Sequence, residues 1–284
     1  VTMTTVENNV ANGKTLTVDA TSMDDDVLTF TGSAEGAATT SVGHFVVKAD
    51  GTGAHAITLG NGNDTVTLTG SGATTVTATA GTNSITTGTG ADSITAGSGA
   101  DTIAGGTGND TFTFGSAANS SGDSITDFVS ANDQIAATLN YSSLNSGVVV
   151  SLARASAGVA GQTAAEATLS GERGEYVYDT TNSKLYINMT SDTTISGADM
   201  QIGINAATTA SATIGDADVN FTVTGTSYAD TIVVGKGTDT ITAGLGVDTI
   251  RVGTDAGIAV VDLTESTGTS ADVIEFKSTS AEAI

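Results

Sequence analysis

The chain has 284 residues, of which 31 are acidic and 8 basic, giving a net charge of −23. Eight cations over that length cannot form the basic stripe that a polyanion needs, so nucleic acid is excluded as a partner and an anionic membrane face is disfavoured. Cysteine, proline and tryptophan are absent, which excludes disulfides and thiol chemistry, while 38% hydrophobic and 14% charged residues predict a folded chain with a thin aliphatic core.

No apolar run nears the roughly 20 residues that span a bilayer, so no membrane insertion is expected. The first residues, Val1-Thr-Met-Thr-Thr-Val6, show neither the basic start nor the apolar stretch of a cleavable signal and no initiator Met, as expected of a processed chain or a fragment. Residues 1–59 contain alternating fragments at Thr15-Leu-Thr-Val-Asp19, Val27-Leu-Thr-Phe-Thr-Gly32 and His44-Phe-Val-Val-Lys48, predicted as short strands leading into a solenoid. The triplet Asp24–Asp26 reads as a solvated turn before it reads as a cation site.

Residues 60–135 are repetitive. Apolar residues recur every nine positions at Val76, Ile85, Ile94, Ile103 and Phe112, with Val66 ten before Val76. Two residues ahead of these six positions stand Asp64, Thr74, Asn83, Asp92, Asp101 and Asp110, and two earlier again Gly62, Gly72, Gly81, Gly90, Gly99 and Gly108. Gly105-Gly-Thr-Gly-Asn-Asp-Thr-Phe112 shows the whole unit. Each unit predicts a tight glycine turn followed by a very short strand, and two units make one coil, so that each loop lies beside the loop eighteen residues away. Thr-x-Thr rows run through the array at Thr65–Thr67, Thr75–Thr77 and Thr111–Thr113, interrupted at Ser84, Ser93 and Ala104.

Residues 136–220 lose the period and are predicted as a non-repeat β module. Within it Glu175–Ile187 reads as a hairpin turning at Asp179–Ser183, with Tyr176, Tyr178 and Tyr186 packed on its strands, and Ala153–Ser170 as a loop or short helix. Residues 221–284 bring a second array, Gly225 to Ile250, with Asp230, Asp239 and Asp248 nine apart, and a C-terminal cap.

Stacked loops would place two carboxylates, such as Asp92 with Asp110 or Asp230 with Asp248, among inward-turned backbone carbonyls. Such a cage suits a hard cation taking roughly six to eight oxygens, and no His or Cys is at hand for zinc, so Ca²⁺ is the expected metal. The candidate ligands of the first array are Asp64, Asp92, Asp101, Asp110 and Asp123 with the loop backbone at Gly88, Gly90, Gly97, Gly99, Gly106 and Gly108. Those of the second are Asp230, Asp239 and Asp248 with Gly235, Gly237, Gly244 and Gly246. Thr74 and Asn83 stand where the other units have aspartate, so the pairs Thr74/Asp92 and Asn83/Asp101 should bind calcium weakly or not at all. His44 and His55 are the only histidines, and no zinc-protease or nucleophile-elbow motif occurs, so enzymatic activity is not expected.

These units resemble the RTX (repeats-in-toxin) hemolysin-type calcium-binding nonapeptide, most specifically over Gly60–Phe114 and Gly225–Ile250, and Gly122–Phe128 with Asp133–Ile135 resembles its closing segment. Asp272–Phe276 is a weaker echo after the second array. The resemblance implies an all-β parallel β-roll. Together with the composition it implies an extracellular, self-assembling bacterial surface-layer (S-layer) protein released by type I secretion, with further copies of itself and a cell-surface polysaccharide as candidate partners. A calcium-stiffened adhesin, or the C-terminal secretion part of an RTX exoenzyme or toxin, are the alternatives.

Overall fold

The computed structural model describes residues 1–5, 10–11, 13–23, 25–32, 43–117, 120–130, 132–152, 169–179, 181–206, 214–253, 257–264 and 271–276. Asp24, most of the predicted Ala153–Ser170 segment and the end of the C-terminal cap lie outside these. The chain forms two units, Val1–Ile135 with Gln201–Ala212, and Ala136–Met200 with Thr213–Ile284.

The strands are β1 (Thr2–Thr4), β2 (Thr15–Ala20), β3 (Thr29–Thr31), β4 (His44–Ala49), β5 (Ala56–Thr58), β6 (Thr65–Leu68), β7 (Thr75–Thr77) and β8 (Ser84–Thr86). They continue as β9 (Ser93–Thr95), β10 (Thr102–Ala104), β11 (Thr111–Phe114), β12 (Ser124–Phe128), β13 (Gln134–Asn140), β14 (Val149–Ser151), β15 (Tyr176–Asp179) and β16 (Lys184–Ile187). The last are β17 (Met200–Ala206), β18 (Val219–Thr224), β19 (Thr231–Val234), β20 (Thr238–Thr242), β21 (Thr249–Val252), β22 (Ile258–Asp262) and β23 (Val273–Phe276).

In the first unit successive strands alternate between two parallel sheets, ordered β1-β3-β5-β7-β9-β11 and β2-β4-β6-β8-β10-β12-β17. This is the predicted parallel β-roll. Ser93 pairs with Thr75 and Thr111, and Ser84 with Thr102, each eighteen residues apart, whereas Thr65 meets Ser84 at nineteen. The ten-residue step before Val76 therefore leaves the pairing intact and lengthens a loop. β1 to β5 belong to the same coil: Thr29 pairs with Thr2 and Ala56, and Val46 with Thr65.

In the three-residue strands β3, β5, β7, β8, β9 and β10 only the central side chain is buried, and the register stacks like on like through the longer ones as well. Phe30, Ile57, Val76, Ile94 and Phe112 form one buried ladder, and Val47, Val66, Ile85, Ile103 and Ile125 the other. Phe45 closes edge-on against Phe30 at 5.1 Å, and Phe128 lies tilted against Phe112 at 6.2 Å. On the outer face the register sorts the Thr rows: Thr4, Thr31, Thr58, Thr77, Thr95 and Thr113 form one unbroken column, because Ser84 and Ala104 lie on the other sheet.

In the second unit β18, β20 and β22 pair in parallel, as do β14, β19, β21 and β23. β14 reaches β19 across a long separation, Val149 opposite Thr231, so this early segment is itself part of a roll although the nine-residue period is missing there. The predicted hairpin forms as β15 and β16, with Tyr176 opposite Ile187 and Asp179 opposite Lys184. The Asp179 carboxylate accepts the N–H groups of Thr181 and Asn182 at 2.9 and 3.0 Å and shapes the turn. Tyr176 and Tyr178 are buried, Tyr176 against Phe221 at 5.9 Å, whereas Tyr186 is half-buried, so two of the three hairpin tyrosines pack inside the unit.

Because Ile94 is fully buried and sits in mid-ladder, Ile94→Ala should cost about 2–5 kcal/mol, read from urea unfolding of the first unit.

Candidate metal centre

The loops between strands carry two stacks of polar side chains in the first unit. Each residue at the aspartate position except Thr74 accepts, through its side chain, the backbone N–H of the equivalent residue one coil earlier. In one stack Thr74 N–H donates to Asp92 at 2.7 Å, Asp92 N–H to Asp110 at 2.9 Å and Asp110 N–H to Asp133 at 3.0 Å. In the other Phe45 N–H donates to Asp64 at 2.8 Å, Asp64 N–H to Asn83 at 2.9 Å, Asn83 N–H to Asp101 at 2.8 Å and Asp101 N–H to Asp123 at 2.7 Å. The second unit repeats the device, with Val148 N–H on Asp230, Asp230 N–H on Asp248, Asp248 N–H on Asp272 and Phe221 N–H on Asp239.

The expected pairs Asp92/Asp110 and Asp230/Asp248 are thus brought together, as are Asp101 and Asp123. The loop glycines lie against the backbone of the preceding coil. A Cβ on Gly88, Gly90, Gly97, Gly99, Gly106 or Gly108 would strike Gly70, Gly72, Thr79, Gly81, Gly88 or Gly90, and one on Gly235, Gly237, Gly244 or Gly246 would strike Leu152, Val219, Thr226 or Tyr228. Gly106 and Gly108 also hold φ of 85° and 141°, where a side chain would be strained.

The aspartates are buried, and one oxygen of each of Asp64, Asp92, Asp101 and Asp123 has no hydrogen-bond partner among the described residues. A buried acceptor left unsatisfied is costly, and a buried unpaired charge more so. Burial accordingly pushes the carboxyls of Asp110 and Asp123 up to about 7 and those of Asp64 and Asp239 up to about 6, and raises Asp101 as well. For Asp110 the neighbouring charges of Asp133, Asp92 and Asp127 add to the rise. Orphaned carboxylate oxygens beside close-packed loop backbone fit a hard cation. Among the described residues no group of three or more acidic or His side chains converges, so the cation would be held by one or two carboxylates and backbone oxygens.

In the second unit Asp230 and Asp239 fit less well. Asp230 accepts Thr226 N–H at 2.6 Å and the Thr226 hydroxyl at 2.9 Å besides Val148, and Asp239 also accepts Gly235 N–H at 3.2 Å. Their carboxylates are occupied by protein donors. Of the two departures, Asn83 takes over the aspartate's acceptor role, whereas the Thr74 hydroxyl turns to the Gly72 carbonyl at 3.2 Å.

Three members were not anticipated as site residues. Asp133 and Asp272 end their stacks, and their Asp-x-Ile spacing marks them in the sequence. Asp127 accepts Gly105 N–H at 3.0 Å and Gly106 N–H at 2.8 Å. His55 stands where Asp is expected in Gly51-Thr-Gly-Ala-His-Ala-Ile57, and its Nδ1 accepts Leu28 N–H at 3.1 Å. Asp25 accepts the Thr52 hydroxyl at 2.7 Å in an exposed turn, the solvated role expected of the acidic triplet.

A family model described as the RTX calcium-binding nonapeptide repeat matches the chain in four copies, over residues 77–112 and 223–258. No curated protein matches it. Both arrays of the chain thus carry calcium-binding nonapeptide repeats of the RTX type. No helix among the described residues is long and apolar enough to cross a membrane.

The raised carboxyls give the metal-free roll a definite pH response. A carboxyl whose folded pKa lies above its ordinary 3.8 favours the fold when protonated, so its contribution is complete below about pH 4 and is lost as pH rises through 6 to 7. The strand signal of the calcium-free protein in circular dichroism should therefore fall between pH 5 and pH 8.

Proposed function

We propose that this protein is an extracellular structural component of a bacterial surface layer, without enzymatic activity, which folds on meeting calcium after type I secretion and then assembles with copies of itself. The observation that carries the reading is the stack of buried carboxylates in the first unit, whose unsatisfied oxygens make the metal-free fold unfavourable at neutral pH. With a net charge of −23 and a thin core, the chain has little to offset that cost inside a low-calcium cell. A bound Ca²⁺ supplies the positive charge and coordination that these oxygens lack, and extracellular calcium modules work at ~10⁻⁴–10⁻³ M.

On this reading Asp64, Asp92, Asp101, Asp110 and Asp123 are the principal carboxylate ligands, and Asp230 and Asp239 rank below them because protein donors occupy both of their oxygens. Regular outer faces such as the Thr column offer repeated contacts suited to a lattice, and a cell-surface polysaccharide is the proposed anchor.

Titration with Ca²⁺ from zero to several millimolar, with Mg²⁺ as control, should raise the strand signal in circular dichroism and then produce large ordered particles in light scattering. Calcium-induced folding that leaves a monomer would shift the reading to an adhesin, and no response would refute the metal sites. Asp92→Ala with Asp110→Ala should raise the calcium midpoint by roughly tenfold or more, about 1.4 kcal/mol. The exposed pair Asp25→Ala with Asp26→Ala should leave it almost unchanged.

A further inference from the structure

The second unit contains a cleft of about 490 Å³ lined by residues 144–149, Gly171, Glu172, Arg173 and Ser191. Arg173 is one of the residues lining it, and it is held in place. Its backbone carbonyl accepts Ser151 N–H at 2.7 Å, its Nη1 donates to the Met189 carbonyl at 2.6 Å, and its guanidinium lies 5.1 Å over the Tyr141 ring. A guanidinium carries five N–H donors, and among the described residues one meets a protein acceptor. The ion pairs of the described residues are Lys236–Asp216 and Arg251–Glu275, so Arg173 has no carboxylate partner there. In a chain with 31 acidic and 8 basic residues, a pinned arginine without a carboxylate stands out.

The cleft walls add a second kind of chemistry. Asn145, Ser146 and Ser191 offer amide and hydroxyl groups, Glu172 a carboxylate that accepts from hydroxyls, and Val148 and Val149 an apolar side. A simple carboxylate would use Arg173 and leave these groups idle. A ring bearing one carboxylate, several hydroxyls and a C–H face uses all of them, and the volume accommodates one or two such rings.

We infer that this cleft binds a carboxylated sugar ring of the hexuronate type, Arg173 pairing with its carboxylate and Glu172, Asn145 and Ser146 with its hydroxyls. The inference rests on the surface-layer reading above and gives its polysaccharide anchor a chemistry. The negative charge of the chain does not forbid an anionic ligand, since at ~0.15 M salt the Debye length of ~8 Å confines repulsion from distant carboxylates. A bidentate Arg–carboxylate pair then acts locally.

The full chain, folded in calcium, would be studied by saturation-transfer NMR and calorimetry with galacturonate, trigalacturonate and neutral galactose. Both acids should bind, and galactose about tenfold more weakly or not at all. Tighter binding of the trimer assigns a polymer as the source and equal binding a free sugar acid, and either result supports recognition of the ring. Arg173→Met should lose about tenfold in affinity, with its calcium midpoint and circular dichroism unchanged. Should that variant fail to fold, Glu172→Gln, which leaves Arg173 packed on Tyr141, should still weaken binding several-fold. Absence of binding to both acids by the folded protein, equal binding of galactose, or an unchanged affinity in the variant that folds would overturn the inference. Particle formation without sugar is measured separately, so failure of the lattice reading is distinguishable from failure of this one.

Discussion

Everything in the rolls depends on one hydrogen bond made many times: a backbone N–H at the end of a loop finds its acceptor on a side chain one coil further along the chain. The loop is too tight and too closely stacked for backbone carbonyls to serve every donor, and a buried unsatisfied N–H would not be tolerated. Aspartate solves this with one oxygen and creates a second problem with the other. The first oxygen orders the stack. The second, left without a partner at Asp64, Asp92, Asp101 and Asp123, asks for a proton or a cation.

The substitutions in the stacks follow from this division of labour. Asn83 and His55 keep the acceptor and shed the charge, so their rungs hold the coil together with no oxygen left over. Thr74 keeps neither role and donates to its own loop at Gly72. Glycine serves the same economy of space, because the carbonyl of each preceding coil occupies the place where a side chain would begin. Apart from Asp64, the first unit thus grades from neutral rungs near its start, His55, Thr74 and Asn83, to charged rungs at Asp92, Asp101, Asp110, Asp123 and Asp133.

The nine-residue spacing made much of this legible. Strands from β6 to β11, their alternation between two sheets, the inward Ile and Val ladders and the neighbourhood of loops eighteen apart all follow from the positions of Val66 to Phe112. What escaped was set by loop length, to which periodicity is blind. β1, β3 and β5 join the same sheet at spacings of 27, and the closing carboxylates Asp123 and Asp133 answer donors 22 and 23 residues back. The partner of Asp230 lies 82 residues away at Val148, beyond anything a repeat can announce. Even the Thr rows misled in linear order, since Ser84 and Ala104 interrupt a series whose members belong to two different sheets. That Asp230 and Asp239 spend both oxygens on protein donors could not be read from a motif that looks the same in both arrays.

The alternation of strands between two sheets makes the coil, and not the motif, the unit in which such a protein can lengthen or shorten. Removing nine residues would hand every later strand to the opposite sheet and bring a rung of one stack under a rung of the other. Removing eighteen, for example residues 84–101, returns each strand to its own sheet and each N–H to an acceptor of the right kind. Duplication and loss of whole coils is therefore a structurally quiet route by which rolls of different length arise, while half-coil changes are confined to the loops and to the ends.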